Sequence, residues 1–108
     1  MDRTRMIVFT NAADGRDEEF NRWYDEVHLR DVLRVPGIVS AQRFALAEAQ
    51  MFRDQAHRYV TVYEIEGDAA EVLEALKKAS PTFAMTDSMA QDAHVAVVEP
   101  IGPRRTAG

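Results

Sequence analysis

The chain contains no cysteine. Disulfides, thiol nucleophiles and thiolate metal sites are thereby excluded. Glycine is scarce, 5 of 108 residues, and none falls in a G-x-G-x-x-G array. No phosphate-cradling loop is present, and no organic cofactor is expected. The three histidines, His28, His57 and His94, lack any ligand-like spacing, so no metal site is expected. No apolar run approaches the ~20 residues of a membrane helix. Basic clusters are also missing: the net charge is −5, and Arg104-Arg105 is too short a footprint for nucleic acid. The start, Met1-Asp2-Arg3-Thr4-Arg5, runs into a strand-like segment without a signal-peptide core. A cytoplasmic protein is the expectation.

What is present is ordinary for a globular domain: 46% hydrophobic and 29% charged residues. One domain over residues 1–108 is expected, with 101–108 a flexible C-terminal tail. A chain this short buries only about 60–70% of its unfolded surface, so pairing with a second copy would help.

Residues 5–10 form a β-branched and aromatic run suited to a strand. Asn11 to Gly15 read as a turn, with Asp14 a candidate N-cap and Asp17, Glu18 and Glu19 in the first helical turn. Phe20, Trp23, Tyr24 and Val27 follow at helical spacing. Pro36-Gly37 ends that helix, with a break expected near Leu29. Residues 38–46 and 58–65 alternate as strands around a polar connection, 47–56. Asp68 with Glu71 forms a capping-box pattern before a second helix that stops at Ser80-Pro81. A Met-containing connection, 82–92, leads to a last strand over 93–99. The order β-α-β-β-α-β predicts a ferredoxin-like α+β fold: one four-stranded antiparallel sheet with both helices on one face.

Strand alternation gives each strand two faces. Val39 and Ala41, Val60 and Val62, Val95 and Val97 are small and aliphatic, and suit packing beneath helices. The opposite set mixes Ser40, Gln42, Phe44, Tyr59, Thr61, Tyr63, His94, Ala96 and Val98. Left in water, Phe44, Tyr59, Tyr63 and Val98 would make a large apolar patch, which marks an interface or ligand surface. A two-fold homodimer packed sheet to sheet, with a partly polar cavity between or beside the sheets, is therefore expected.

The chemistry-bearing segment is Phe20-Asn21-Arg22-Trp23-Tyr24-Asp25-Glu26-Val27-His28-Leu29-Arg30-Asp31. Phe20, Tyr24 and His28 share a helix face that starts apolar and ends titratable. His28 suits a general acid or base. Tyr24 suits a donor to a developing oxyanion, and Asp31 or Asp25 could orient the imidazole. The bland alternative is a His stabilised at a helix C-terminus or a dimer edge. Trp23 could stack on a substrate or only pack. Asn11 could face the cavity mouth or only form the turn. Gln42, Tyr59 and Tyr63 could line the cavity or serve as dimer contacts. His94 could line it or sit satisfied at an interface, and His57 reads as solvated. Met85 and Met89 could form a flexible lid or fill core.

Phe20-x-x-Trp23-Tyr24-x-x-x-His28, then Val35-Pro36-Gly37, then Arg43-Phe44 resemble the EthD-like branch of the dimeric α+β barrel proteins, over about residues 5–100. The resemblance implies a ferredoxin-like homodimer. The superfamily includes cofactor-independent monooxygenases of quinol-like aromatics, muconolactone-type isomerases, polyketide cyclases and some haem proteins, and this branch is often tied to catabolic operons. The expected function is a cofactor-free small-molecule enzyme that moves a proton through His28 on an aromatic or polyketide-like carbonyl or phenol. A non-catalytic small-ligand carrier and a purely structural dimer are the alternatives.

Overall fold

The structure is a computed structural model that describes residues 3–108. Its elements are β1 (Thr4–Thr10), α1 (Asp17–Trp23), a π-helical turn (Tyr24–His28), α2 (Leu29–Leu33), β2 (Ile38–Ala45), β3 (Tyr59–Ile65), α3 (Ala69–Ala79), a 3-10 turn (Ser80–Thr82) and β4 (His94–Val98). The strands form one antiparallel sheet in the order β2-β3-β1-β4. The α1–π–α2 rod and α3 lie on the same face. The expected ferredoxin-like α+β fold is what the chain adopts.

Local chemistry sets the ends. The acidic first turn of α1 is Asp17, Glu18 and Glu19, but the N-cap is Arg16 rather than Asp14, with no side-chain cap bond. Asp68 caps α3 by accepting the Glu71 amide at 3.1 Å, so the oxygen satisfies an otherwise orphaned helix donor. After α2 the chain turns through Gly37 at φ +93°. A Cβ there would lie 2.4 Å from Cγ2 of Val72, so glycine lets the turn pass beneath α3.

Two apolar clusters lie under the helices. One is aliphatic in character, built from Met6, Val32, Val35, Ile38, Ile65 and Val72 together with Tyr63. The other is aromatic: Phe20, Trp23, Tyr24 and Tyr59.

The faces of β3 are opposite to those expected from side-chain size. Tyr59, Thr61, Tyr63 and Ile65 are buried beneath the helices, while Val60 and Val62 lie on the open face. The rings bury more area than valines would, and their hydroxyls find partners there: Tyr59 with Asp17 and Tyr63 with Tyr24. Tyr59 and Tyr63 therefore contribute nothing to an exposed patch. Phe44 and Val98 do remain exposed. On β2 a bulge between Ile38 and Ser40 leaves Val39 exposed, while Ala41 packs against the core. His57 is tucked in rather than solvated, its Nε2 2.8 Å from the Asp92 carbonyl oxygen.

Candidate active site

The π-helical turn shapes the site. The Leu29 amide donates to the Tyr24 carbonyl, five residues back. In an α-helix residues five apart diverge, whereas a π turn brings them onto one face. His28 accordingly stacks on Trp23, with centroids 4.6 Å apart at 21°. It also meets the Tyr24 ring edge-on at 4.9 Å, so the stripe read from the sequence is kept and a second wall is added. Phe83 closes a third side at 5.9 Å.

His28 and Tyr24 line a cavity of about 530 Å³ between the α1–π–α2 rod and α3. That volume suits a small organic molecule. Its floor is the sheet, through Met6, Val8, Tyr63 and Val95, and its far wall is α3, through Leu73, Leu76 and Lys77. Phe83 and Met85 reach it from the 82–92 connection. The cavity lies under the helices of one chain, on the other side of the sheet from the open face that is expected to pair with a second copy. The burial that draws the hydroxyl-bearing rings of β3 under the helices places the Tyr63 hydroxyl at this largely apolar cavity.

Inside, the Tyr24 and Tyr63 hydroxyls are 3.1 Å apart. One donates to the other, which leaves a single hydroxyl hydrogen for a ligand. Burial, and then Tyr24, push the Tyr63 phenol far above its ordinary value, with Arg43 acting in the opposite direction. Burial lowers the His28 pKa below 6.5, and the charge of Asp31 partly opposes this. The imidazole is therefore neutral at pH 7. Its buried Nδ1 has no hydrogen-bond partner among the described residues, in contrast to the usual pairing of buried polar atoms.

Asp31 acts on the imidazole through its charge. Its hydrogen bond goes elsewhere, to the Ala84 amide at 3.1 Å, and Arg34 lies 3.6 Å away. Trp23 donates Nε1–H to the carbonyl of the same residue, Ala84, at 2.7 Å. One residue is held from both sides, and its neighbours Phe83 and Met85 are the two that border the cavity. Within the 82–92 connection Met85 is exposed at the mouth, whereas Met89 pairs with Ala12 and packs on the aromatic cluster. Asp25 turns to Arg43, at 3.0 Å, and not to His28.

The remaining candidates lie outside the cavity. Asn11 is a staple: its Nδ2 donates to the Ala56 carbonyl and to Asp92, and its Oδ1 accepts the Arg58 amide. Gln42 sits on the open sheet face beside Phe44 and Val62. His94 is also on that side, 5.7 Å from the Phe9 ring. Tyr59 belongs to the aromatic cluster, donating to Asp17 at 2.6 Å. Among the described residues no group of three His, Asp or Glu side chains could hold a metal ion, and no helix is long and apolar enough to cross a membrane.

In the sequence Arg43 stands out only as part of the Arg43-Phe44 motif. Its guanidinium lies 4.4 Å from the centroid of the Tyr24 ring, and donates to Asn21 and Asp25. The signal was strand parity: Arg43, two residues after Ala41, shares the face that packs under the helices.

No family model matches the chain, and no curated protein matches it significantly. Solved structures do. A protein from Arabidopsis thaliana superposes with a TM-score of 0.69 at 12% identity, covering 94% of this chain and 99% of the other. A candidate monooxygenase from Shewanella loihica gives 0.59 at 12% identity, covering 94% and 97%. An ethyl tert-butyl ether D (EthD) family protein from Bacillus halodurans gives 0.61 at 12% identity, covering 92% and 99%. The chain thus shares its fold with a member of the branch its sequence motifs resemble.

Proposed function

We propose that the chain is a small-molecule enzyme in which His28 moves a proton on an aromatic or polyketide-like carbonyl or phenol. The observation that carries this reading is the convergence of a neutral imidazole and a tyrosine hydroxyl pair on one largely apolar cavity. The apolar walls hold a ring or chain and exclude water. His28 takes the proton, α to a carbonyl or from a phenol. The oxygen that gains charge is met by the free hydrogen of the Tyr24–Tyr63 pair, in surroundings where such a bond is strong. Asp31 acts as a positioning residue through its field on His28 and through its hold on Ala84. Isomerisation, cyclisation, elimination and cofactor-free oxygenation all share this proton transfer. The resemblance to the candidate monooxygenase and the EthD protein in fold is consistent with it.

The assembly proposed with it is a homodimer through the open sheet face. That face carries Phe44 and Val98, both more than 40% exposed, beside Val60 and Val62. Uncovered apolar area on this scale favours a partner, and a monomeric mass in solution contradicts it. For the chemistry, His28→Ala is expected to lower turnover of a true substrate by roughly 10²–10⁴-fold. Full activity in that variant removes His28 from the mechanism. Recovery of an unaltered ligand after long incubation with the native protein would instead favour the carrier.

A further inference from the structure

We propose that Arg43 is a positioning residue that makes the Tyr24–Tyr63 pair a receptor for negative charge, acting through the Tyr24 ring and not by touching the ligand. The inference rests on the oxyanion reading of the cavity and deepens it. Arg43 does not line the cavity, whereas Tyr24 and Tyr63 do. Its guanidinium carbon lies 4.4 Å from the Tyr24 centroid, and 5.6 Å from those of Phe20 and Tyr59. The side chain is only 13% exposed, and its Nε has no partner among the described residues.

A cation over a π face is drawn to the ring electrons, and the attraction grows when water is excluded. It also draws electron density from the phenol, so the O–H becomes a stronger donor. Negative charge shared between the tyrosine oxygens and a bound oxyanion is stabilised by the same field. The two anchors keep the cation in place and quench it only in part. Asn21 is a neutral acceptor, at 2.8 Å. Asp25 is charged, but its side chain is 60% exposed, so solvent screens it. Lysine would supply the charge without the planar fork that lies on a ring and bonds two acceptors at once.

The test uses 4-nitrophenol, whose absorbance separates phenol from phenolate. Dye binding and ionisation are followed in the native protein, in Arg43→Met, and in both again with Tyr24→Phe. Arg43→Met is expected to bind the neutral dye as before and the phenolate roughly tenfold more weakly. In the Tyr24→Phe background, Arg43→Met should cost markedly less, because the cycle isolates what passes through the hydroxyl and leaves only the through-space field. Phenolate affinity unchanged in Arg43→Met, or lowered equally with and without Tyr24, overturns the proposal. Asp25→Asn keeps the fold, since it alters an exposed carboxylate, and should raise phenolate affinity. If Arg43→Met does not fold and Asp25→Asn gives no rise, the proposal also fails. A native protein that takes up only the neutral dye overturns the oxyanion site itself, and Arg43's role with it.

Discussion

The two ends of the space beneath the helices are built from the same sheet, yet one is closed and the other open. At the aromatic end Phe20 is fully buried and meets Trp23, Tyr24 and Tyr59 at centroid distances of 5.4–6.1 Å. Most of its polar groups are tied off: the Tyr59 hydroxyl donates to Asp17, and the terminal nitrogens of Arg43 donate to Asn21 and Asp25. At the aliphatic end α3 stands off the sheet and leaves the 530 Å³ cavity. The titratable groups fall on the border. Tyr24 belongs to the aromatic cluster, but its hydroxyl reaches Tyr63 of the other. Under the proposed function the filled end fixes the geometry and the open end admits the ligand, which is the division a preorganised site requires.

If the aromatic end is the scaffold, its removal should cost most. Phe20→Ala is expected to lower the unfolding free energy by about 3–5 kcal/mol, as for fully buried rings elsewhere. Denaturant titration measures this. A loss under about 1 kcal/mol would mean that the end collapses freely and is no scaffold. Gly37→Ala comes next, at about 2–4 kcal/mol, because the residue sits at φ +93° and its new Cβ would press on Val72. In a Val72→Ala background most of the steric part of that cost should be removed, leaving the 3.2 Å approach to the Glu66 carbonyl oxygen and the dihedral part. Equal costs in the two backgrounds would show that the clash is relieved by a shift of α3.

The open end should respond in the opposite sense. Leu73 lines the cavity, so Leu73→Trp puts added volume into empty space. Its effect on stability is expected to stay under about 1 kcal/mol, while 4-nitrophenol binding weakens roughly tenfold or more. Intact dye binding would place the ligand elsewhere.

The same border marks how far the sequence could be read. The element order followed from strand alternation, the Asp68 cap and Pro36-Gly37, all local signals. The pairing of Tyr24 with His28 followed from helix spacing. On β3 side-chain size points to the wrong buried face and parity to the right one: Ile65 shares its face with Tyr63 and Tyr59, and pairs with Ile38, a core residue. The π turn has no composition signature, so the Trp23–His28 stack could not be foreseen. Asp31 illustrates the remaining limit. Its proximity to His28 in sequence suggested an orienting bond, but its acceptor oxygen is taken by Ala84, 53 residues away. Contacts over that distance depend on how connections pack, which periodicity does not encode.

The smallest effect expected is one of pH, and it tests the border residue itself. Burial lowers the His28 pKa in the folded chain below the 6.5 of an exposed imidazole. As pH falls through 6.5 the unfolded chain takes up this proton before the folded one does, so stability declines. The decline from this group ends once pH is below the folded value, where both states are protonated. Above 6.5 neither state binds the proton and the penalty is absent. His28→Phe keeps a ring against Trp23 and deletes the titration. The difference in unfolding free energy between native and variant proteins should therefore shift against the native protein on going from about pH 7 to about pH 5. The carboxylates, His57 and His94 are common to both proteins and cancel to first order. A difference that stays constant over this range would mean that His28 is as well solvated folded as unfolded. The cavity wall would then be wet, and the neutral base that the proposed chemistry requires would owe nothing to the fold.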